Sequence, residues 1–313
     1  MENKEKNFIS AIIYVYNAED RIDGFLKTIT EVLENNFEHA EIICVNDSSD
    51  DDSLGKIREA SIFAKNTSIS VVNMSYFHGL EASMNAGMDM AIGDFVFEFD
   101  RTNLDFDVDM IMKVYRRSLE GFDIVSAYPD RTTTFTSRLF YGVLNRALSL
   151  SYKVNTESFR VLSRRVINRV NSMNRSVPYR KVLYANCGLK TDSLKYEAKK
   201  EATHSLDMRQ KHYRTDLAIE SLILFTDLGY RVSLLMTISM MIISVFMLIY
   251  SIITYVSFHP VAGWTTTILF LSIAFLGLFG ILTIVVRYLQ SLIDLVFRRK
   301  RYSFESVEKI TKQ

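Results

Sequence analysis

The sequence predicts an α/β chain with a mostly parallel sheet, followed by juxtamembrane helices and two transmembrane helices. Three observations carry that expectation. Short apolar runs alternate with helix-period stripes over roughly the first 130 residues, polar clusters stand directly after the runs, and residues 232–286 contain no Asp, Glu, Lys or Arg.

Strand-like runs fall at 8–16, 40–45, 68–73, 95–99 and 123–127. Between the first two, Ile22, Phe25, Leu26, Ile29 and Leu33 recur at helical spacing, and Leu54, Ile57 and Phe63 begin a second stripe before the third run. Strands alternating with helices in this way form βαβ units, whose crossovers cover both faces of a parallel sheet.

The charge-free stretch 232–286 is too long for one crossing of a bilayer core, which takes roughly 20 apolar residues. It breaks at 257–264, where Pro260 and Gly263 mark a turn. Two spans follow, at about 232–256 and 265–286, with Tyr255 and Trp264 at interfacial depth. Arg209, Lys211, Arg214 and Arg231 precede the first span, Arg287 and Arg298-Arg299-Lys300-Arg301 follow the second, and the turn has no Lys or Arg. By the positive-inside rule both termini lie in the cytoplasm, and the chain is expected in the inner (plasma) membrane. The opening Met1-Glu2-Asn3-Lys4-Glu5-Lys6 leads straight into the first run and does not look like a signal peptide. The expected organisation is a cytoplasmic domain at 1–205, a juxtamembrane amphipathic segment at 206–231, the paired spans within 232–288 and a basic cytoplasmic tail at 289–313. A buried helical hairpin in a soluble protein is the competing reading of the apolar run.

Composition narrows the chemistry. A balance of 37 Lys+Arg against 36 Asp+Glu gives a net charge of +1 and no sign of a nucleic-acid partner. Cys44 and Cys187 are too few for a disulfide framework, and the five His lack a metal-ligand spacing. No G-x-G-x-x-G follows the first run and no G-x-x-x-x-G-K-[ST] occurs, which counts against a dinucleotide oxidoreductase or a P-loop phosphotransferase.

In an open parallel sheet the ligand crevice lies beyond the carboxyl ends of the strands. Tyr16-Asn17-Ala18-Glu19 stands there after the first run, Asn46-Asp47-Ser48-Ser49-Asp50-Asp51-Asp52 after the second and Asp100-Arg101-Thr102 after the fourth. Helix caps and turns account for such residues equally well. If the crevice holds a diphosphate without a glycine cradle, a carboxylate-bound Mg2+ or Mn2+ is the usual bridge.

These residues resemble the family 2 glycosyltransferases of the polyprenyl-phosphate type, the group of dolichol-phosphate mannosyltransferase and the bacterial undecaprenyl-phosphate glucosyltransferases. Ile12-Ile13-Tyr14-Val15-Tyr16-Asn17-Ala18-Glu19 is similar to the family's opening strand with P-x-Y-N-E, and Val45-Asn46-Asp47-Ser48-Ser49-Asp50-Asp51 to V-D-D-G-S-T-D. Ala91-Ile92-Gly93-Asp94 is similar to A-x-G-D, Asp100 takes the first place of D-x-D, and Ser158-Phe159-Arg160-Val161-Leu162-Ser163-Arg164 resembles D-F-R-L-x-x-R. Asp130-Arg131 and Ser137-Arg138-Leu139-Phe140-Tyr141 with Asn145 resemble the segment that approaches the lipid acceptor.

The resemblance implies a GT-A-like Rossmann-type fold and an inverting transfer of a sugar from a nucleotide sugar, expected to be a UDP-sugar, to polyprenyl (undecaprenyl) phosphate in cell-surface glycan assembly. It implies donor contacts from Tyr16, Asn17, Glu19, Asn46, Asp47, Ser49 and Gly79, and catalytic roles for Asp100, Arg131 and Arg138. It also implies Mg2+ or Mn2+ at Asp100, and lipid-phosphate contacts from Arg131, Arg138 and Arg160. Membrane lipids and further copies of the chain, as a homo-oligomer, are the other expected partners.

The chain departs from the family's pattern where the chemistry is done. Tyr14 replaces Pro, Ala18 moves the acid to Glu19, Asn46 replaces the first Asp of its pair, Tyr76-Phe77-His78-Gly79 replaces R-N-F-G, and Ser158 replaces an acid. The D-x-D ends in Thr102, with Asp105 and Asp107 as nearby carboxylates that a loop shift would bring in. A family member that has lost turnover and binds a nucleotide sugar or lipid, or scaffolds a glycan assembly complex, is the alternative. Phe135, Leu139, Phe140, Val143, Leu144, Ala147 and Leu148 form a stripe that suits either an interfacial helix or a buried one.

Overall fold

The computed structural model describes residues 4–130, 140–142, 157–172, 179–199, 207–225 and 302–311, with single helical positions between 235 and 292. The chain forms two compact units, Met1–Leu217 with Arg299–Gln313, and Ala218–Arg298.

The first unit is built on one eight-stranded sheet in the order β7-β5-β6-β4-β1-β2-β3-β8. Its strands are β1 (Ile9–Val15), β2 (Ala40–Asn46), β3 (Ser68–Met74), β4 (Phe95–Phe99), β5 (Ile124–Pro129), β6 (Phe159–Ser163), β7 (Thr191–Tyr196) and β8 (Phe304–Lys309). All seven residues of β1 are buried, as a strand covered on both faces requires. Parallel pairing joins β1 to β2 and β4, and β2 to β3. The first five strands lie within about two residues of the runs read from sequence, and the α/β, mostly parallel architecture is the one expected.

The helices are α1 (Ile22–Asn36), α2 (Ser53–Ser61), α3 (Leu80–Met90), α4 (Asp109–Leu119), α5 (Arg164–Ser172), α6 (Arg180–Asn186) and α7 (Met208–Phe225). Side chains alternate across a strand, so β1 feeds two cores. Ile9, Ala11, Ile13 and Val15 join the layer formed with α1, α2 and α4, whereas Ile12 and Tyr14 join the layer containing α3 and α5. Gly93 lets the turn before β4 approach the backbone of β1: a Cβ there would lie 2.5 Å from the Ser10 backbone nitrogen. Its own N–H donates to Ser10 Oγ at 2.8 Å, and Phe8 N–H donates to Asp94, so A-x-G-D is a fastener on β1.

Two strands change the direction of the sheet. β6 enters antiparallel between β4 and β5, and β8, from the end of the chain, pairs antiparallel with β3. The β6 register sets Arg160 directly opposite Glu98 of β4.

In the second unit the described helical positions fall at 235–246 and 267–292. Gly277 lies against Met240 and Gly280 against Met236, a crossing order that makes the two segments antiparallel. Among the described residues no helix is long and apolar enough to cross a membrane. Most of the predicted spans at 232–256 and 265–286, together with Arg131, Arg138 and most of the 135–148 stripe, lies outside the described residues.

Candidate functional site

The loops after β1 and β2 close on each other through their backbones. Asn17 and Ser48 take left-handed conformations, φ 45° and 56°, which Asn tolerates better than most residues. Asn17 N–H donates to Ser49 Oγ at 3.1 Å and Asp50 N–H returns to Asn17 Oδ1 at 2.9 Å. Glu19 N–H donates to Asp51, Asp52 N–H donates to Glu19 Oε2, and Ala18 N–H donates to Ser53 Oγ. Asn46 steadies the turn from within, accepting from Ser49 N–H and donating to Asn73 Oδ1.

Asp47 fastens a third loop to this pair. It is fully buried; Oδ1 accepts from His78 N–H at 2.8 Å, and Oδ2 accepts from Gly79 N–H at 2.8 Å and from the Tyr14 hydroxyl at 2.9 Å. Burial and then the Asp47 charge push the Tyr14 phenol well above its ordinary range, so it stays a donor. Gly79 has φ 83°, and a Cβ there would lie 2.2 Å from the Tyr213 ring of α7, so only glycine fits. Tyr16 packs on Phe77 at 4.8 Å and donates to Asp207 at 3.3 Å, while Tyr213 accepts from Glu81 N–H at the start of α3.

Beyond β4 lies a buried ionic cluster. Asp100 Oδ2 accepts from Arg160 at 2.7 Å and Oδ1 from Arg180 at 2.9 Å. Glu98, fully buried in β4, accepts from Arg160 at 3.0 Å, from Arg180 and from the Tyr184 hydroxyl at 2.9 Å. Glu81 Oε2 accepts from both the backbone N–H and Nε of Arg180, and Glu157 lies 3.1 Å from Arg160 Nε. Both arginines are about 1% exposed. Burial alone raises the Asp100 carboxyl, but Arg160, Arg180 and Lys181 outweigh it and hold the group well below the usual carboxylate range.

One cation bridges the ends of β1 and β4. Arg21 donates from Nε to Thr102 Oγ1 at 3.0 Å and from Nη2 to the Asn17 carbonyl at 2.9 Å, with Asp20 3.7 Å from Nη1. Burial and then the Arg101 charge lower the Arg214 guanidinium.

Mg2+ or Mn2+ needs oxygen ligands that converge with free lone pairs. Asp100 spends both oxygens on guanidinium groups, and the Thr102 hydroxyl accepts from Arg21. Asp105 accepts from the Tyr196 hydroxyl at 2.9 Å, and Asp107 pairs with Lys199 at 2.8 Å on the surface, so each carboxylate already has a protein partner. Among the described residues no three His, Cys, Asp or Glu side chains could hold a metal ion. The residues present do not fit a bound divalent cation at Asp100.

Of the expected donor residues, Tyr16, Asn17, Glu19, Asn46, Asp47, Ser49 and Gly79 gather on neighbouring loops at the carboxyl ends of β1, β2 and β3. Asp100 stands at the end of β4, next to β1. Arg160 is turned into the sheet, its guanidinium held by Glu98, Asp100 and Glu157. Sequence reasoning missed Arg21, Glu81, Glu98, Arg180 and Tyr213. Glu98 alone left a signal, as a charge inside the apolar run Phe95–Phe99.

The sheet and the polar crevice at its carboxyl edge define a GT-A-like α/β protein. The chain belongs to glycosyl transferase family 2, whose model matches residues 10–170. An uncharacterised glycosyltransferase of Synechocystis sp. is 31% identical over 188 residues, a match spanning 58% of this chain and 58% of that protein. The bactoprenol glucosyl transferase of Shigella phage SfV is 27% identical over 314 residues, spanning 97% of this chain and 99% of the relative. A mannosyltransferase from Pyrobaculum calidifontis, solved with GDP-Man and Mn2+, aligns with a TM-score of 0.51 and 14% identity over 70% of this chain and 63% of that one. Glucosyl-3-phosphoglycerate synthase from Mycobacterium tuberculosis aligns with a TM-score of 0.50 and 14% identity over 70% of this chain and 80% of that one. At such identity the structural likeness speaks for the fold alone.

Proposed function

We propose that the protein transfers a sugar from a nucleotide sugar, in the first instance a UDP-sugar, to a polyprenyl phosphate at the cytoplasmic face of a membrane. The observation that supports this most is the convergence of the loops after β1, β2 and β4, which carry Asn17, Asp47 and Asp100, on one edge of a family 2 sheet. The end-to-end match to a bactoprenol glucosyl transferase supports the acceptor.

In the reaction a phosphate oxygen of the lipid attacks the anomeric carbon, a new C–O bond forms, and the bond to the nucleoside diphosphate breaks with inversion. The acceptor is already anionic near neutral pH, so positioning and charge stabilisation count for more than a general base. Asn17, Glu19, Asn46 and Ser49 shape the donor side, and Asp47 holds the loop of Tyr76 to Gly79 against it. Asp100 acts by fixing Arg160 and Arg180, while Arg131 and Arg138 are assigned to the lipid phosphate.

A domain at 1–205, joined by β8 from the tail at 289–313, with a juxtamembrane segment at 206–231 and two spans within 232–288, would bring this edge to the lipid. Exposed apolar side chains in the second unit, Leu271, Phe275, Leu278, Leu282, Val285 and Leu289 among them, support a lipid environment there. Purified full-length protein in vesicles containing undecaprenyl phosphate should move radiolabel from UDP-glucose or another nucleotide sugar into the lipid fraction. No labelled lipid with a panel of UDP- and GDP-sugars removes the proposal in favour of a family member without turnover.

A further inference from the structure

We infer that this protein binds its nucleotide sugar without a divalent cation, the Arg21 guanidinium standing at the mouth of β1 and β4 to meet the diphosphate. The inference rests on the transferase reading above and deepens it.

The geometry supplies both halves of the case. The positions that would hold a cation are committed: Asp100 to Arg160 and Arg180, Thr102 to Arg21, Asp105 to Tyr196 and Asp107 to Lys199. A positive charge is already held where the cation would act. Arg21 is anchored at two points, Thr102 Oγ1 and the Asn17 carbonyl, which fixes the plane of its guanidinium between two adjacent strand ends. A guanidinium has five N–H donors, and those anchors use two. Of the rest, Nη1 forms an ion pair with Asp20 at 3.7 Å, longer than a hydrogen bond. The side chain remains 24% exposed, so a ligand can reach it. A planar, permanently charged fork suits paired phosphate oxygens.

The neighbouring charges agree with this assignment. Glu81, Glu98, Asp100 and Glu157 exceed Arg160 and Arg180 by two negative charges, but their side chains are at most 8% exposed and point at the arginines. On the open side Arg21 lies 3.7 Å from Asp20 and the facing loops carry Glu19, Asp50, Asp51 and Asp52, while burial and then the Arg101 charge lower the Arg214 guanidinium. A diphosphate between Arg101 and Arg214 relieves their repulsion, whereas a divalent cation there adds to it.

The test is calorimetric binding of UDP-glucose and GDP-mannose to the full-length protein in detergent, once in EDTA and once with MnCl2. The expected result is a Kd for the preferred donor that agrees within about twofold between the two buffers, and a free Mn2+ resonance signal that the protein alone does not reduce. Arg21→Ala should weaken binding at least about tenfold with no rescue by Mn2+, while Arg21→Lys keeps part of it. Thr102→Val leaves the charge and removes its anchor, so it should weaken binding several-fold with an unchanged melting temperature. Binding that appears only with Mn2+, or Arg21→Ala binding as tightly as the natural protein, overturns the inference and leaves the transferase standing. Binding of neither donor in either buffer overturns the transferase reading and this inference together.

Discussion

Arg180 touches three carboxylates, those of Glu81, Glu98 and Asp100, and none of the four groups is more than 8% exposed. Removing the cation strands buried negative charge, so Arg180→Met should destabilise the first unit by about 3–5 kcal/mol, read as a lower denaturation midpoint in detergent. The same cluster sets an acid limit. The Asp100 carboxyl is held below its ordinary value of 3.8, so its contribution is complete above that pH and is lost as the pH falls below it. The melting temperature should therefore owe nothing to Asp100 titration from about pH 5 to 8 and should fall below about pH 4. Asp47 works through hydrogen bonds instead. Asp47→Asn keeps one acceptor oxygen and leaves a donor from His78, Gly79 or Tyr14 unmatched, at about 1–3 kcal/mol. Faster hydrogen exchange at the 78 and 79 amides, with weaker nucleotide binding, is the expected result; unchanged exchange contradicts the fastening role.

Among the elements, β8 does the least expected work, because a strand from the chain's end covers the edge that β3 would otherwise present. Truncation after residue 301 should expose that edge and increase self-association, measurable by light scattering. What sequence revealed follows the same physics. β1 to β4 are buried strands and read as apolar runs, whereas β8 has the composition FESVEK with four of its six residues exposed, and resembles a polar tail until its partner is known. The gathering of polar loops at one edge of the sheet was legible because Asn17, Asp47 and Asp100 follow closely on strands. Arg160 was legible as a motif but not in its direction, which depends on the antiparallel register that sets it against Glu98. Arg180 and Arg21 reach their partners from helix α6 and the start of α1, across 80 or more residues, and no local pattern encodes that meeting.

At the scale of the whole molecule, the account requires the chain to cross a membrane twice, with the turn at 257–264 on the far side. Cys44 and Cys187 are free and buried, and burial pushes the Cys44 thiol up to about 12, so the natural thiols give a low labelling background. In intact cells, His259→Cys should react with an impermeant maleimide added outside, while a cysteine at Glu305 should react only after lysis. The central claim is that the edge formed by β1, β2 and β4 receives the donor. The most direct measurement is an experimental structure with a bound UDP-sugar. The account predicts the nucleotide beside Asn17 and Asp47, its diphosphate within hydrogen-bond reach of Arg21, and no ion at Asp100. A nucleotide bound away from these strand ends would contradict it.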